Sequence, residues 1–193
     1  MRRRHAARAL LAGGGTAAAL ALLLAAPAGA HKPLFAAPGR PATVPDGTTS
    51  YAAYARLSCP GDRIELRAPL RAGDVLLAEL LVPADGPEGS RAAAAQPRLM
   101  VFDPAGRSLR VTPTRSRFDE PFSALSYLRL AGLDGRAGAT GVYRIVVRSG
   151  EAGRVVVAVG TEERFSAADR RGLPRALYRI RAWAAPPTTR CAR

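Results

Sequence analysis

His31, the one histidine beyond the first thirty residues, and the acidic pair Asp119-Glu120 in the segment RFDEPF are the side chains of this sequence best suited to chemistry. If the chain were cut before His31, its terminal amine and its own imidazole would form a two-nitrogen chelate of the kind that suits Cu(II). No second histidine follows, so the remaining ligands would have to be carboxylates, and Asp119 and Glu120 are the candidates. The same carboxylates, helped by backbone carbonyls, could hold Ca2+, although no Asp-x-Asp spacing repeats along the chain. Neighbouring residues of an extended segment face opposite ways, which argues against Asp119 and Glu120 acting together as general acid and base. A salt bridge from Glu120 to Arg117, or a hydrogen bond anchoring the loop, is the plainer role. A Ser-His-Asp or Cys-His arrangement would have to use His31 on a terminal arm, where positioning for nucleophilic catalysis is poor. No catalytic constellation is visible. The expected metal set is therefore His31, Asp119 and Glu120, with copper or calcium as the ion.

The elements that must position these residues begin after a segment of different character. The chain opens MRRRHAARALL, passes through glycines into TAAALALLLAA, and reaches the small-residue site Ala28-Gly29-Ala30. A basic start, a short apolar run and an A-x-A site are the pattern of a cleaved signal peptide over residues 1–30. The apolar run is shorter than the roughly 20 residues that span a bilayer. Export to the periplasm or the exterior is the expectation, with no transmembrane span after cleavage. Cleavage would lower the net charge from +14 by the four arginines of that segment, to +10. The arginines are scattered and Lys32 is the only lysine, so the basic balance implies peripheral attraction to anionic surfaces rather than a specific nucleic-acid site. In an oxidising compartment Cys59 and Cys191 are expected to pair; an intermolecular disulfide through the tail, or two free thiols, are the alternatives.

Residues 31–49 carry proline and glycine too often for a helix or a central strand and read as an extended arm. From 50 to 165 the signals are those of strands. SYAAYARL, DRIEL and GDVLLAELLVP are short apolar or alternating runs bounded by turn residues. RLMVFDPAGRSLRVT reads as a hairpin around Asp103-Pro104-Ala105-Gly106, and GVYRIVVRSGEAGRVVVAVG as a second around residues 149–153. The predicted fold is all-β, an antiparallel β-sandwich or jelly roll. Residues 166–193 form a C-terminal helical segment and tail. Ser166 caps a short turn there, Pro174 opens a helix PRALYRIRAWAA that closes one end of the sandwich, and a basic amphipathic helix resting on an anionic membrane is the other reading. Tyr51, Tyr54, Tyr127, Tyr143, Tyr178 and Trp183 could include a sugar-stacking platform, but their strand and helix positions favour the core.

The run LRAGDVLLAELLVP, RLMVFDPAGRSL, GVYRIVVRS and RVVVAVG resembles, in order and turn chemistry, the pre-peptidase C-terminal type of bacterial exported β-sandwich domain. RFDEPFSALSYLRL and VGTEERFSAADRRGLPRALYRIRAW are similar to a group of exported bacterial proteins that begin near a His-x-Pro-aliphatic-Phe arm. The likeness covers roughly residues 50–183. It implies a non-enzymatic accessory or binding sandwich with a protein or polysaccharide partner in the cell envelope.

Overall fold

The computed structural model describes residues 31–186 and Cys191. The expected signal peptide lies outside them. Among the described residues the strands are β1 (Lys32–Phe35), β2 (Ala42–Thr43), β3 (Tyr51–Leu57), β4 (Arg63–Leu70), β5 (Val75–Pro83), β6 (Arg98–Phe102), β7 (Ser108–Leu109), β8 (Thr112–Glu120), β9 (Leu125–Arg136), β10 (Gly141–Arg148) and β11 (Gly153–Val159). Two helices join them, the single turn α1 (Pro87–Ser90) and the long C-terminal α2 (Ala167–Ala184). A six-stranded sheet in the order β1-β3-β11-β5-β9-β8 faces a five-stranded sheet in the order β2-β4-β10-β6-β7. The fold is the all-β sandwich that the strand runs indicate, antiparallel except where β1 joins β3 and β2 joins β4.

Period-two alternation decides which side chains meet between the sheets. Ala53, Ala55 and Leu57 of β3, Ala78, Leu80 and Val82 of β5, and Val155, Val157 and Val159 of β11 point inward against Ile64, Leu66, Val101, Ile145 and Val147. Most alternate residues of β3, β5 and β11 are apolar as well, the charged exceptions being Arg56, Glu79 and Arg154. A second cluster lies on the outer face of the six-stranded sheet, where Tyr54, Leu81, Tyr127 and Val156 pack against Ile180 and Trp183 of α2. The Trp183 indole Nε1 donates to the Ala55 carbonyl at 2.9 Å. β11 is thus buried on both faces, which accounts for its nearly unbroken run of valine.

Within residues 31–49, β1 extends the edge of one sheet and β2 the edge of the other, so this extended segment crosses between the layers. Three expectations are corrected by this arrangement. β10 and β11 are not a hairpin, because β10 belongs to the five-stranded sheet and β11 to the six-stranded one. In RFDEPF only Pro121 and Phe122 belong to a turn, since residues 117–120 end the edge strand β8 that pairs with β9. Helix α2 starts at Ala167, with Pro174 inside it, and it covers a sheet face instead of closing an end. Its start is a reciprocal cap in which Asp169 N–H donates to Ser166 Oγ at 3.1 Å and Ser166 N–H to Asp169 Oδ2 at 2.7 Å.

Other local signals hold. The Gly106 N–H donates to the Asp103 carbonyl at 2.9 Å, closing the DPAG turn with Gly106 at φ 83°. Gly160 ends β11 at φ 67°, where a Cβ would lie 2.2 Å from the Thr49 carbonyl oxygen. Cys59 and Cys191 form a disulfide, and it ties the tail to the β3–β4 turn.

Candidate functional site

The outer face of the six-stranded sheet carries a depression that follows from two neighbouring rows of residues. Register places Ala52 of β3, Ala158 of β11, Glu79 of β5 and Gly132 of β9 side by side. The next row is Tyr54, Val156, Leu81 and Arg129. Two alanines and a glycine beside a row of large side chains leave a hollow in which Glu79 stands. Phe118 of β8 and Phe122 of the β8–β9 turn wall one side, and His31, just before β1, sits at the other. The enclosed space is about 50 Å³, room for a few water-sized groups.

Its polar groups are only partly matched. Arg129 Nε lies 2.9 Å from Glu79 Oε1, but its N–H points off that oxygen and forms no hydrogen bond. The same guanidinium stands 5.7 Å over the Phe118 ring. Tyr127 is 2 % exposed, and its hydroxyl, close to the Tyr54, Ser123 and Glu120 side chains, has no hydrogen bond of acceptable geometry. An unmade bond on a buried hydroxyl costs about 1–3 kcal/mol. Burial pushes the phenols of Tyr54 and Tyr127 up, so both stay protonated donors.

Glu120 is spent locally. Its Oε1 accepts from Phe122 N–H at 2.9 Å and its Oε2 from Ser123 N–H at 2.8 Å and Ser123 Oγ at 2.5 Å. This is the loop-anchoring role, and the alternative salt bridge to Arg117 is not the one formed. Arg117 instead meets Asp85 at 3.0 Å and Asp119 at 3.3 Å.

Of the residues expected to act together, the structure brings His31 and Glu120 to the same cavity and turns Asp119 away. Asp119 and Glu120 are consecutive in β8, so one faces the hollow and the other solvent. Asp119 accepts from Ser126 Oγ at 2.5 Å, and that bond, with Arg117, holds its carboxyl below the usual range. His31 Nδ1 and Ser50 Oγ are hydrogen-bonded to each other. Burial lowers the imidazole pKa against the pull of the Glu120, Glu163 and Glu79 carboxylates, leaving the ring neutral at pH 7. Ser50 is buried and does not line the cavity, so this Ser-His contact orients the ring and offers no nucleophile to a ligand. Among the described residues no three His, Cys, Asp or Glu side chains stand close enough together to hold a metal ion.

Sequence reasoning missed Glu79 and Arg129, and named Tyr127 only among the aromatics whose positions favour the core. The alternation GDVLLAELLVP does place a glutamate on the outer face of β5, and that lone charge in an apolar run was the available signal. Compared with protein families, curated proteins and solved structures, the chain finds no match.

Proposed function

We propose that this chain is a non-enzymatic, exported binding module that takes a small neutral group, bearing an oxygen acceptor on an apolar body, in the cavity beside Tyr127. The observation that carries the reading is a buried Tyr127 hydroxyl that approaches Tyr54 and Ser123 without a well-aligned hydrogen bond, beside an Arg129 Nε that lies 2.9 Å from Glu79 Oε1 but does not point at it. A ligand oxygen could accept from both. An anion would face Glu79 and Glu120, and a cation would compete with Arg129 for Glu79 while leaving Nε unpaired, so a hydroxyl or carbonyl compound fits best. Phe118, Phe122, Leu81 and Val156 supply the apolar walls expected of such sites. Export is supported by the disulfide, which persists in oxidising compartments, and by the character of the first thirty residues.

The test is a titration of the protein with isopropanol, phenol and a methyl glucoside, followed by backbone amide NMR. Saturable shifts in β3, β9 and residues 121–124, lost in Ala158→Leu, would support the reading. Shifts spread evenly over the surface would refute it.

A second reading rests on His31 lying at the cavity, where its own imidazole and amine, and not a cluster of carboxylates, would carry the metal. There His31 would hold Cu(II), its amine freed by cleavage. Calorimetric Cu(II) titration of N-terminally verified protein beside His31→Ala decides it: tight one-to-one binding lost in the variant supports copper, and weak binding unchanged by it rejects copper.

A further inference from the structure

The opposite face of the sandwich carries a different pattern. Outward residues of β4, β10 and β6 fall into three rows: Arg67, Arg144 and Phe102; then Glu65, Val146 and Met100; then Arg63, Arg148 and Arg98. The last row sets three arginines side by side on adjacent strands about 4.8 Å apart. Like charges directly opposite one another destabilise a sheet. The only carboxylate in these rows, Glu65, is already shared. It lies 2.5 Å from Arg63, 3.0 Å from Arg67 and 3.5 Å from Arg144. Burial alone would raise its carboxyl, but the Arg67 and Arg63 hydrogen bonds outweigh that and hold it ionised. Among the described residues Arg98 and Arg148 have no carboxylate partner. Five arginines thus surround one anion, over a floor of Val146, Met100 and Phe102, with shallow clefts beside Arg63, Arg144 and Arg148 and beside Arg98 and Arg148.

We propose that the outer face of the five-stranded sheet is a docking surface for a linear anionic polysaccharide, whose carboxylate or sulfate groups neutralise the Arg63–Arg148–Arg98 row while its sugar rings lie against the half-buried Met100. Two other polyanions fit less well. Docking on a lipid bilayer needs apolar side chains that protrude, and on this face Val142 alone, 47 % exposed, is a large exposed apolar residue. Single-stranded nucleic acid needs open aromatic faces for stacking, and Arg144 lies over Phe102 with its guanidinium 5.3 Å from the ring. A polysaccharide asks only for spaced anions and a shallow apolar floor. Forks of guanidinium donors suit carboxylate and sulfate oxygens.

The experiment measures affinity for heparin across a salt series, using the disulfide-bonded protein. Arg63, Arg98 and Arg148 replaced together by alanine should weaken binding at least about tenfold and flatten the salt dependence. A control with Arg170, Arg171 and Arg175 of α2 replaced by alanine removes the same charge elsewhere and should leave affinity within about threefold. Arg148→Glu should abolish binding without lowering the unfolding midpoint, because it turns a repulsive row into an alternating one. Tyr127→Phe should leave heparin affinity unchanged, keeping this site separate from the cavity. Equal losses in both triple variants, no binding to heparin at physiological ionic strength, or tighter binding to oligo(dT) or to phosphatidylglycerol vesicles would overturn the proposal.

Discussion

Arg154 and Glu88 form a two-point ion pair almost wholly removed from water, with Nε 2.9 Å from Oε1 and Nη2 2.8 Å from Oε2. The Arg154 backbone N–H donates to the same Oε1 at 2.9 Å, and its Nη1 donates to the Ala184 carbonyl at the end of α2. One carboxylate on the short turn α1 therefore organises β11 and, through Arg154, the last turn of the helix that packs beside the candidate cavity on Tyr54, Leu81, Tyr127 and Val156. Arg56 does the same from β3, its Nη2 donating to the carbonyls of Ala182, Trp183 and Ala185 at 2.9, 2.7 and 2.8 Å. Two guanidiniums at a helix C-terminus also complement its dipole.

Removing one partner of a buried pair leaves the other charged and unpaired. Burial opposes ionisation of Glu88, but Arg154 outweighs it and holds the carboxyl below its ordinary value. Glu88→Gln is expected to cost about 3–5 kcal/mol in a urea unfolding titration. A loss under about 1 kcal/mol would show that the pair holds nothing.

The disulfide closes a sequence separation of 132 residues, and on the chain-entropy account a loop of that length is worth about 5 kcal/mol. Wild-type protein should melt at lower temperature in dithiothreitol, whereas Cys59→Ser should already melt low and ignore the reductant. Identical melting curves with and without reductant would contradict this.

Asp169 and His31 mark two parts of the acid limb of stability, beside the other lowered carboxylates Asp46, Glu65, Glu88, Asp103 and Asp119. Lys32 Nζ lies 2.9 Å from Asp169 Oδ2, joining β1 to α2, and that bond with the Ser166 cap brings the Asp169 carboxyl down to about 2. Because the folded value is depressed, its contribution is full above about pH 4 and is lost as pH falls toward 2. The lowered His31 value acts in the same direction at higher pH: the unfolded chain binds the proton more readily, so stability declines as pH drops below about 6.5. Melting temperatures across the pH range should therefore fall in two steps. In His31→Gln the upper step should vanish; its persistence would exclude the imidazole.

The unpartnered hydroxyl gives an inverse prediction. Tyr127→Phe removes a buried polar atom that makes no bond, so it should be neutral or stabilising by up to about 1–3 kcal/mol while weakening any ligand held in the cavity. Destabilisation by more than about 1 kcal/mol in urea would mean that the hydroxyl is satisfied in solution.

What the sequence disclosed and what it concealed follow from range. The DPAG turn, the Ser166 cap and the alternation in β3 and β5 are local, and all are visible in a few residues. Membership of a sheet is not local: residues 141–160 read as one hairpin, although β10 and β11 pair with different partners. Pro174 resembles a helix start because its ring favours a first turn, yet the cap at Ser166, eight residues earlier, decides where α2 begins. The cavity was illegible for a related reason. Ala52, Ala158 and Gly132 are ordinary residues until register puts them in one row, and Arg63, Arg98 and Arg148 form no charge run along the chain. His31 and Glu120 were found by residue type, and Asp119 was grouped with them by adjacency, which a strand undoes.

The most direct test of the cavity is a crystal structure of the protein soaked in isopropanol, beside Ala158→Leu treated alike. The wild-type crystal should show an isopropanol molecule among Phe118, Phe122 and Leu81, its oxygen within hydrogen-bond distance of the Tyr127 hydroxyl and Arg129 Nε, and the variant should show none. A wild-type cavity closed by side-chain movement, with Tyr127 and Arg129 bonded to protein groups and no probe inside, would contradict the binding function proposed for it.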